Sequence, residues 1–416
     1  MSFLGGVFGS KRARVEEQTA FGQQALAMVR AQQRVAAAEF DPTDFVIGYA
    51  THDGERGRMS LATVFKRCQG ISAEEARRVL FEFVSIPATV DAPADGQDGW
   101  ATASAQLRPL IRQAGQLDLR TEGMRIADHT VWRPVLPGLI ETIVIDQPTS
   151  MQNAHPSLLD EWGVDADTVF AAARANLTEL ALDTAAGYDP RAKAGMLHIP
   201  DVSGDLYAGS LPLVDGWLAG IGAKAGARPI VFVAQNVGVL IGAEFSEEHV
   251  LRLVRAAREL FDNAVREVSP VPYTVDDDGR LVPYQVERNH LAWREIRAAE
   301  CTLASHVYGQ QYEHLRADLD ADLTEDRAAK LTHIRKDGVD TTWSPWTDTV
   351  PTLLPRANNV TLTDVNTGAT FAVPWETLAA AIDLEPVEGV YPPRYRVEYH
   401  PEPEVMARLR AAEALD

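Results

Sequence analysis

Residues 139–181 read LIETIVIDQPTSMQNAHPSLLDEWGVDADTVFAAARANLTELA, and no other stretch of the chain restricts its fold so tightly. Aliphatic and β-branched residues fill 139–145, bounded by Pro137-Gly138 and by Asp146-Gln147-Pro148, which predicts a buried strand. Pro148 and Pro156 then keep Thr149, Ser150, Gln152 and Asn153 out of regular structure. Polar loops of this kind either hold a ligand or satisfy their own backbone, as Asx and Ser/Thr turns do. Beyond them Asp165 is placed to cap a helix and Asp167 to add charge to its first turn. Phe170, Ala173, Leu177 and Leu180 recur along one face. Asn176, polar between apolar neighbours, is read as facing solvent or a nearby carbonyl.

A chain of 416 residues with 46% hydrophobic content can bury a substantial core, and its length favours two or three domains. Lys plus Arg number 39 against 59 for Asp plus Glu, a formal net charge of -20 that disfavours nonspecific binding to nucleic acid or anionic lipid. Cys68 and Cys301 make no disulfide framework and no metal spacing surrounds either, so both are expected to be reduced thiols. At the N-terminus the basic residues Lys11, Arg12 and Arg14 follow the apolar ones instead of preceding them, unlike a signal peptide. No segment offers the roughly 18 or more consecutive apolar residues of a spanning helix. The expectation is a soluble, cytoplasmic protein without membrane or nucleic-acid partners.

The organisation expected is a disordered tail over 1–13, a mostly helical region over 14–118, a central α+β domain over 119–286, and a long helix with a β-rich domain over 287–416. An alanine- and glutamine-rich run over 14–39 predicts a helix, residues 45–50 a strand, and 61–68 a helix. Another helix begins at Ser72, where Ser72 and Glu75 form a capping box. Residues 87–99, rich in Ala, Pro, Asp and Gly, read as a surface loop or linker. A helix is expected over 103–114, kinked by Pro109, and a strand over 124–132. Further on come short strands at 196–199 and 205–207, a short helix at 211–218, a glycine-rich loop, and apolar runs at 229–234 and 237–241. Ser246 opens an amphipathic helix carrying Val250, Leu253, Val254, Ala257, Leu260, Phe261 and Ala264. A hairpin follows, turning at Asp277-Asp278-Gly279.

The element order together with the runs TSMQNAHPSLLDEWGVDADTVFAAARANL, QNVGVLIG and EVSPVPYTVDDDGRLVPY resembles the YtpQ-like bacterial family of uncharacterised proteins over roughly residues 44–283. The resemblance implies a bacterial cytosolic α+β domain and transfers no site residue. The chain from Glu287 onward extends beyond it, with a long helix marked by Cys301, Tyr308, Tyr312, Leu315 and Leu319. Turns follow at Lys336-Asp337-Gly338 and Asn366-Thr367-Gly368. Trp343, Trp346 and Trp375 lack the interleaved basic residues of a single-strand nucleic-acid platform and read as the core of a small β-rich domain.

Motifs for chemistry are few. Gly220, Gly222 and Gly226 around Lys224 invite a phosphate-loop reading, but that loop must follow a strand and open a helix, whereas this run leads into Pro229 and an apolar strand. Asp318, Asp320 and Asp322 alternate like a calcium loop, yet Leu323 and Ala329 stand where Gly and Glu are required. His306 and His314 are separated by about 80° around a helix, a poor chelating geometry. No H-E-x-x-H, G-x-S-x-G or C-x-x-C occurs.

The most site-like constellation spans two segments: Asp146, Ser150, Gln152 and Asn153, then His198, Asp201, Ser203 and Asp205. If the strands before them are parallel neighbours in one sheet, both loops emerge at one edge. Asp146, His198 and Asp205 would then supply acid/base or metal-assisted chemistry, with Ser150, Gln152, Asn153, Asp201 and Ser203 as ligand contacts. The contrary reading is a pair of ordinary turns. The preferred expectation is therefore a non-catalytic binding or interaction module with no cofactor and no bound metal. In this reading an α+β domain of mixed sheet and packed helices is joined to a smaller β-rich C-terminal domain that recognises a protein partner. The alternative is a hydrolase or transferase using the carboxylates and His of the 146–153 and 198–205 loops, with or without a divalent metal.

Overall fold

A computed structural model describes the chain except for residues 1–4, 43–44, 53, 55, 86–98, 122–123, 148–150, 193–194, 202–206, 237, 265, 322 and 413–416. The protein is α+β, its strands gathered in several antiparallel and mixed sheets. It divides into two compact units, one of residues 1–99, 147–150 and 202–206, the other the remainder of 100–416. Among the described residues no helix is long and apolar enough to cross a membrane.

In the first unit α1 (Gly5–Arg30) leads into β1 (Val35–Asp41), β2 (Val46–Thr51) and β3 (Arg56–Ser60), an antiparallel sheet in that order, followed by α2 (Ala62–Arg67) and α3 (Ala73–Val84). Residues 5–13, expected as a tail, begin α1, and the helix expected to reach residue 39 stops at Arg30. Alanine favours helix, and pairing with β2 overrides that local preference. Arg30 marks the junction, donating from Nε and Nη2 to Ala38 O at 2.9 and 2.7 Å. Leu26, Val29, Ile47, Leu61, Phe65 and Leu80 form the core, with Phe65 edge-on to Phe45 at 5.5 Å. Ser72 caps α3 by accepting from Glu75 N–H at 3.2 Å. The linker expected over 87–99 lies outside the described residues except for Gly99.

The second unit opens with α4 (Gly99–Gln106), which runs straight into β4 (Leu107–Gln113) where a longer helix was expected. Seven residues of β4 pair with β8, and Pro109, lacking an N–H, stands in an edge strand, where it removes no ladder bond that a second neighbour would need. The strand expected over 124–132 is likewise interrupted: β5 (Arg120–Thr121) and β6 (Met124–Arg125) form a small ribbon, and α5 (Ile126–His129) precedes β7 (Trp132–Leu136). β8 (Leu139–Asp146) is the centre of the first sheet, ordered β4-β8-β7, with β9 (Met151–Asn153) on the same edge as β7. Residues 100–118 thus belong with the central sheet, not with the N-terminal helices.

Every residue of β8 except Asp146 is buried, including Glu141. That carboxylate is answered by two arginines. Arg133 Nε donates to Oε2 at 2.8 Å, and Arg174 donates from Nε to Oε1 at 2.8 Å and from Nη2 to Oε2 at 2.6 Å. Next come α6 (Ser157–Trp162), α7 (Ala166–Ala175) and α8 (Thr178–Gly187). Asp165 caps α7 through Thr168 N–H at 2.8 Å, and Val169, Phe170 and Ala173 pack on Leu107, Ile143 and Ile145. Asn176 reaches neighbouring carbonyls, donating to Ser104 O at 2.7 Å and Leu107 O at 2.9 Å.

β10 (Leu197–Pro200), a 3-10 turn over Ala208–Leu213 and α9 (Trp217–Ala225) precede β11 (Pro229–Phe232), β12 (Gly238–Ala243), α10 (Glu247–Asp262), β13 (Tyr273–Val275) and β14 (Leu281–Pro283). The strands make a second, antiparallel sheet ordered β10-β12-β11-β13-β14. Its central strands are buried on both faces. Ile230 and Phe232 meet Val250, Leu253 and Val254 of α10, while Val231 and Val239 meet Trp217, Ile221, Leu303 and Val307. Gly238 has φ +143°, and a Cβ there would lie 2.5 Å from Ile199 O, so close pairing of β10 with β12 requires glycine. Gly220 and Gly222 are inside α9 and not in a loop. Lys224 caps α8, donating to Ala185 O at 3.0 Å and Ala186 O at 2.7 Å.

α11 (Trp293–Ala321) connects to the β-rich end of the chain. There β15 (Arg327–Ala328), β16 (Thr332–Lys336), β17 (Val339–Thr347), β18 (Thr352–Pro355), β19 (Asn359–Thr363), β20 (Thr370–Pro374), α12 (Trp375–Ala381), β21 (Arg394–Val397) and α13 (Pro403–Ala411) follow. The strands form two mixed sheets, β16-β17-β19-β20 and β15-β18-β21. Asp337 and Gly338, both at positive φ, join β16 to β17 as a two-residue hairpin. Trp346 and Trp375 enter the core with Leu354, Val360, Leu362 and Val373, while Trp343 is half-buried outside it.

Candidate functional site

The residues singled out from sequence are placed by two different sheets. Asp146 ends β8, and Gln152 and Asn153 lie in β9, exposed and paired with Ile145 and Val144. His198 lies in β10, opposite Leu240 of β12. β8 and β10 are therefore not parallel neighbours, and the sheet edge that was expected to gather both loops does not exist. Ser150, Ser203 and Asp205 lie outside the described residues.

Two of the expected carboxylates do share a neighbour that sequence reasoning missed. Tyr207 is buried, in the left-handed region at φ 57°, with its hydroxyl directed at Met151 Sδ, 3.6 Å away. Burial, then the Asp146 carboxylate, pushes this phenol well above the ordinary tyrosine range, and Asp201 adds in the same direction. Asp201 is itself buried and accepts from Ala208 N–H at 3.3 Å. Asp201 thus orders the turn that carries Tyr207. Nothing in the local sequence marks Tyr207, because its role comes from an αL backbone and contacts with β8.

A cleft of about 770 Å³ lies elsewhere, between α11, the Pro137–Gly138 turn, the β13–β14 edge and the segments around Asn358, Trp375 and Tyr391. Its size is that of a small-molecule site. Arg297, Glu300, Cys301, Ala304 and Tyr308 project into it from one side of α11, at the three- and four-residue intervals that bring helical side chains onto one face. None of its lining comes from the 146–153 or 198–205 loops.

Aromatic groups wall this cleft, and the hydroxyls of two of them are tied to backbone carbonyls. Tyr391 Oη donates to Leu136 O at 3.0 Å, and Tyr308 Oη donates to Pro393 O at 3.0 Å. Burial pushes both phenols up to about 12, so they remain neutral. Trp375 and Tyr395 pack with ring centroids 5.1 Å apart. Charges occur as balanced couples: Arg297 with Glu300 at 3.3 Å and Arg356 with Glu376 at 2.9 Å. Burial lifts the Glu300 carboxyl above the usual glutamate range, and the nearby Arg297 offsets that only in part. Burial also pushes the Cys301 thiol up to about 11, which holds it protonated at neutral pH.

A smaller depression of about 450 Å³ gathers Glu244, Glu247 and Glu287 beside His290, with Glu247 Oε2 accepting from Leu291 N–H at 3.0 Å. Among the described residues no group of three or more His, Cys, Asp or Glu is placed to hold a metal ion.

Fold and cleft together define an α+β protein with an aromatic-walled, charge-balanced cavity of small-ligand size. Comparison of the chain with protein-family models, curated proteins and solved structures returns no match.

Proposed function

We propose that this chain is a non-catalytic binding protein, of the YtpQ-like bacterial kind, whose ligand is a small molecule held in the cleft along α11. The observation that carries this reading is the state of the cleft's reactive groups. Each carboxylate is coupled to an arginine, the phenols of Tyr308 and Tyr391 are donors to backbone carbonyls, and the thiol is held protonated. Such a lining supports recognition of a ligand over attack on one. The same proposal places the protein in the cytosol and gives it a protein partner at the β-rich end, where Ile334, Val365 and Tyr399 expose apolar surface.

The test uses thermal unfolding of the full chain against pools of small molecules, with Ala304→Trp as the variant that fills the cleft. The expected result is a compound that raises the melting temperature of the wild type by linkage, leaves Ala304→Trp unmoved, and is recovered chemically unchanged. Equal stabilisation of both proteins would remove the cleft as the site. Conversion of the compound, abolished by Asp146→Asn, would establish the hydrolase or transferase reading instead.

A further inference from the structure

Asn358, in the turn between β18 and β19, has its side-chain amide held in one orientation. Oδ1 accepts from Thr342 N–H at 2.9 Å and from the Thr342 hydroxyl at 3.0 Å, and the Cys301 thiol reaches it at 3.6 Å. The backbone of Asn358 is fixed too: its N–H donates to Thr342 Oγ1 at 2.9 Å, and its carbonyl accepts from Trp375 N–H at 2.8 Å. A backbone N–H can only donate, so the atom facing Thr342 N must be the amide oxygen. Nδ2, for which the described residues provide no acceptor, is thereby left with two N–H donors at the wall of the cleft.

An acceptor stands in the same cleft. Glu300 is the helix neighbour of Cys301, and Arg297 Nη1 donates to its Oε2, while among the described residues no donor is directed at Oε1. Trp375, Tyr391 and Tyr273 provide flat apolar surface around these groups. Because the two arginines and two glutamates already neutralise one another, a charged ligand would be desolvated without a partner for its charge.

Resting on the cleft reading above, we infer that the ligand is a planar, uncharged ring system with a lactam edge, meaning a ring carbonyl beside a ring N–H. Asn358 Nδ2 donates to the carbonyl, and Glu300 Oε1 accepts from the N–H. A volume of about 770 Å³ admits two or three fused rings.

Quinolin-2(1H)-one is a suitable probe, compared with its N-methyl derivative by calorimetric titration of the wild-type chain, Asn358→Asp and Ala304→Trp. Asn358→Asp keeps an oxygen for Thr342 and loses both donors. Saturable binding of the parent compound is expected, weakened about tenfold or more by N-methylation and by Asn358→Asp, and lost in Ala304→Trp. No saturable binding of the parent to the wild type would overturn the inference. Binding that is blocked by Ala304→Trp yet indifferent to N-methylation and to Asn358→Asp would leave the cleft reading standing and remove the lactam edge. Binding that persists in Ala304→Trp would remove both. Should Asn358→Asp fail to fold by circular dichroism, the comparison of the two probes on the wild type decides alone.

Discussion

Arg394 Nε donates to Gln311 Oε1 at 2.6 Å, with both side chains closed off from solvent. The same guanidinium donates from Nη1 to Ala329 O at 2.7 Å and to Leu353 O at 2.9 Å, and lies over the Tyr308 ring at 5.5 Å. A buried cation is thus satisfied by neutral oxygens drawn from α11, the end of β15 and β18. Gln311 also donates to Pro392 O at 2.9 Å, so the network fixes the floor beside the cleft.

Burial draws the Arg394 guanidinium down to about 10, still well above neutrality, so it is charged in the folded protein. Arg394→Lys keeps the charge but has no planar fork to reach Gln311, Ala329 and Leu353 together. We expect a loss of roughly 2–4 kcal/mol, from acceptors left unpaired in the interior. Urea denaturation measures it, and a midpoint equal to the wild type would contradict the account.

Glu141 presents the opposite charge in the first sheet. Its side chain has 0% exposure, against 31% and 25% for Arg133 and Arg174. Glu141→Gln leaves two arginines facing a neutral amide at the centre of β8, and breaking a buried pair of this kind costs about 3–5 kcal/mol. Asp167, which also touches Arg133 but is 93% exposed, is the control. Asp167→Asn is expected to shift stability by less than about 1 kcal/mol.

Acid should loosen the β16–β17 hairpin. Burial pushes the Asp340 carboxyl upward, but hydrogen bonds from Arg335 and His333, at 2.8 and 2.7 Å, outweigh it and hold the carboxyl below the usual aspartate range. A carboxyl depressed in the folded state contributes stability that is complete above its unfolded value and is lost as pH falls through the folded one. The hydrogen-exchange protection of residues 332–347, corrected for the intrinsic pH dependence of amide exchange, should therefore fall below about pH 4, the unfolded aspartate range. In Asp340→Asn the same segment should be less protected at neutral pH, with little further change in protection as acid is added. An unchanged pH profile in that variant would discount the network.

Much of the fold was legible where a residue's own chemistry sets its backbone. Ser72, Asp165 and Ser246 each accept the expected N–H at a helix start, and Asp337-Gly338 makes the expected hairpin. Residues 107–113 misled because LRPLIRQ follows a helical alanine-rich run and Pro109 reads as a kink. Seven pairings with β8 override that local preference. The glycines at 220 and 222 misled in the other direction, since packing of Trp217, Leu218 and Ile221 supports a helix through them. The cleft was hardest to foresee. Cys301 and Tyr308 could be placed on one stripe of α11, but Pro137, Asn358 and Tyr391 meet that stripe from segments with no common motif. Asn358 becomes a fixed donor only through Thr342, and no spacing in the sequence announces it.

Cys301 offers a direct probe of the cleft. Burial raises its thiol from the ordinary 9.0 to about 11, with Arg297 opposing and Glu300 and Asp340 reinforcing the rise. Two pH units lower the thiolate fraction at pH 8 by about 100-fold, and the thiolate is the species that alkylates. Iodoacetamide should label Cys301 in the native chain at least that much more slowly than in the urea-unfolded chain, as followed by mass spectrometry of the peptide containing it. Ala304→Trp, one helical turn away, should slow native labelling further by closing the approach, while a cleft ligand should do the same to the wild type in proportion to its occupancy. Labelling of native Cys301 at the rate of an unfolded thiol would mean that the side chain is neither enclosed nor held protonated. The physical basis for reading this cleft as a recognition site would then be gone.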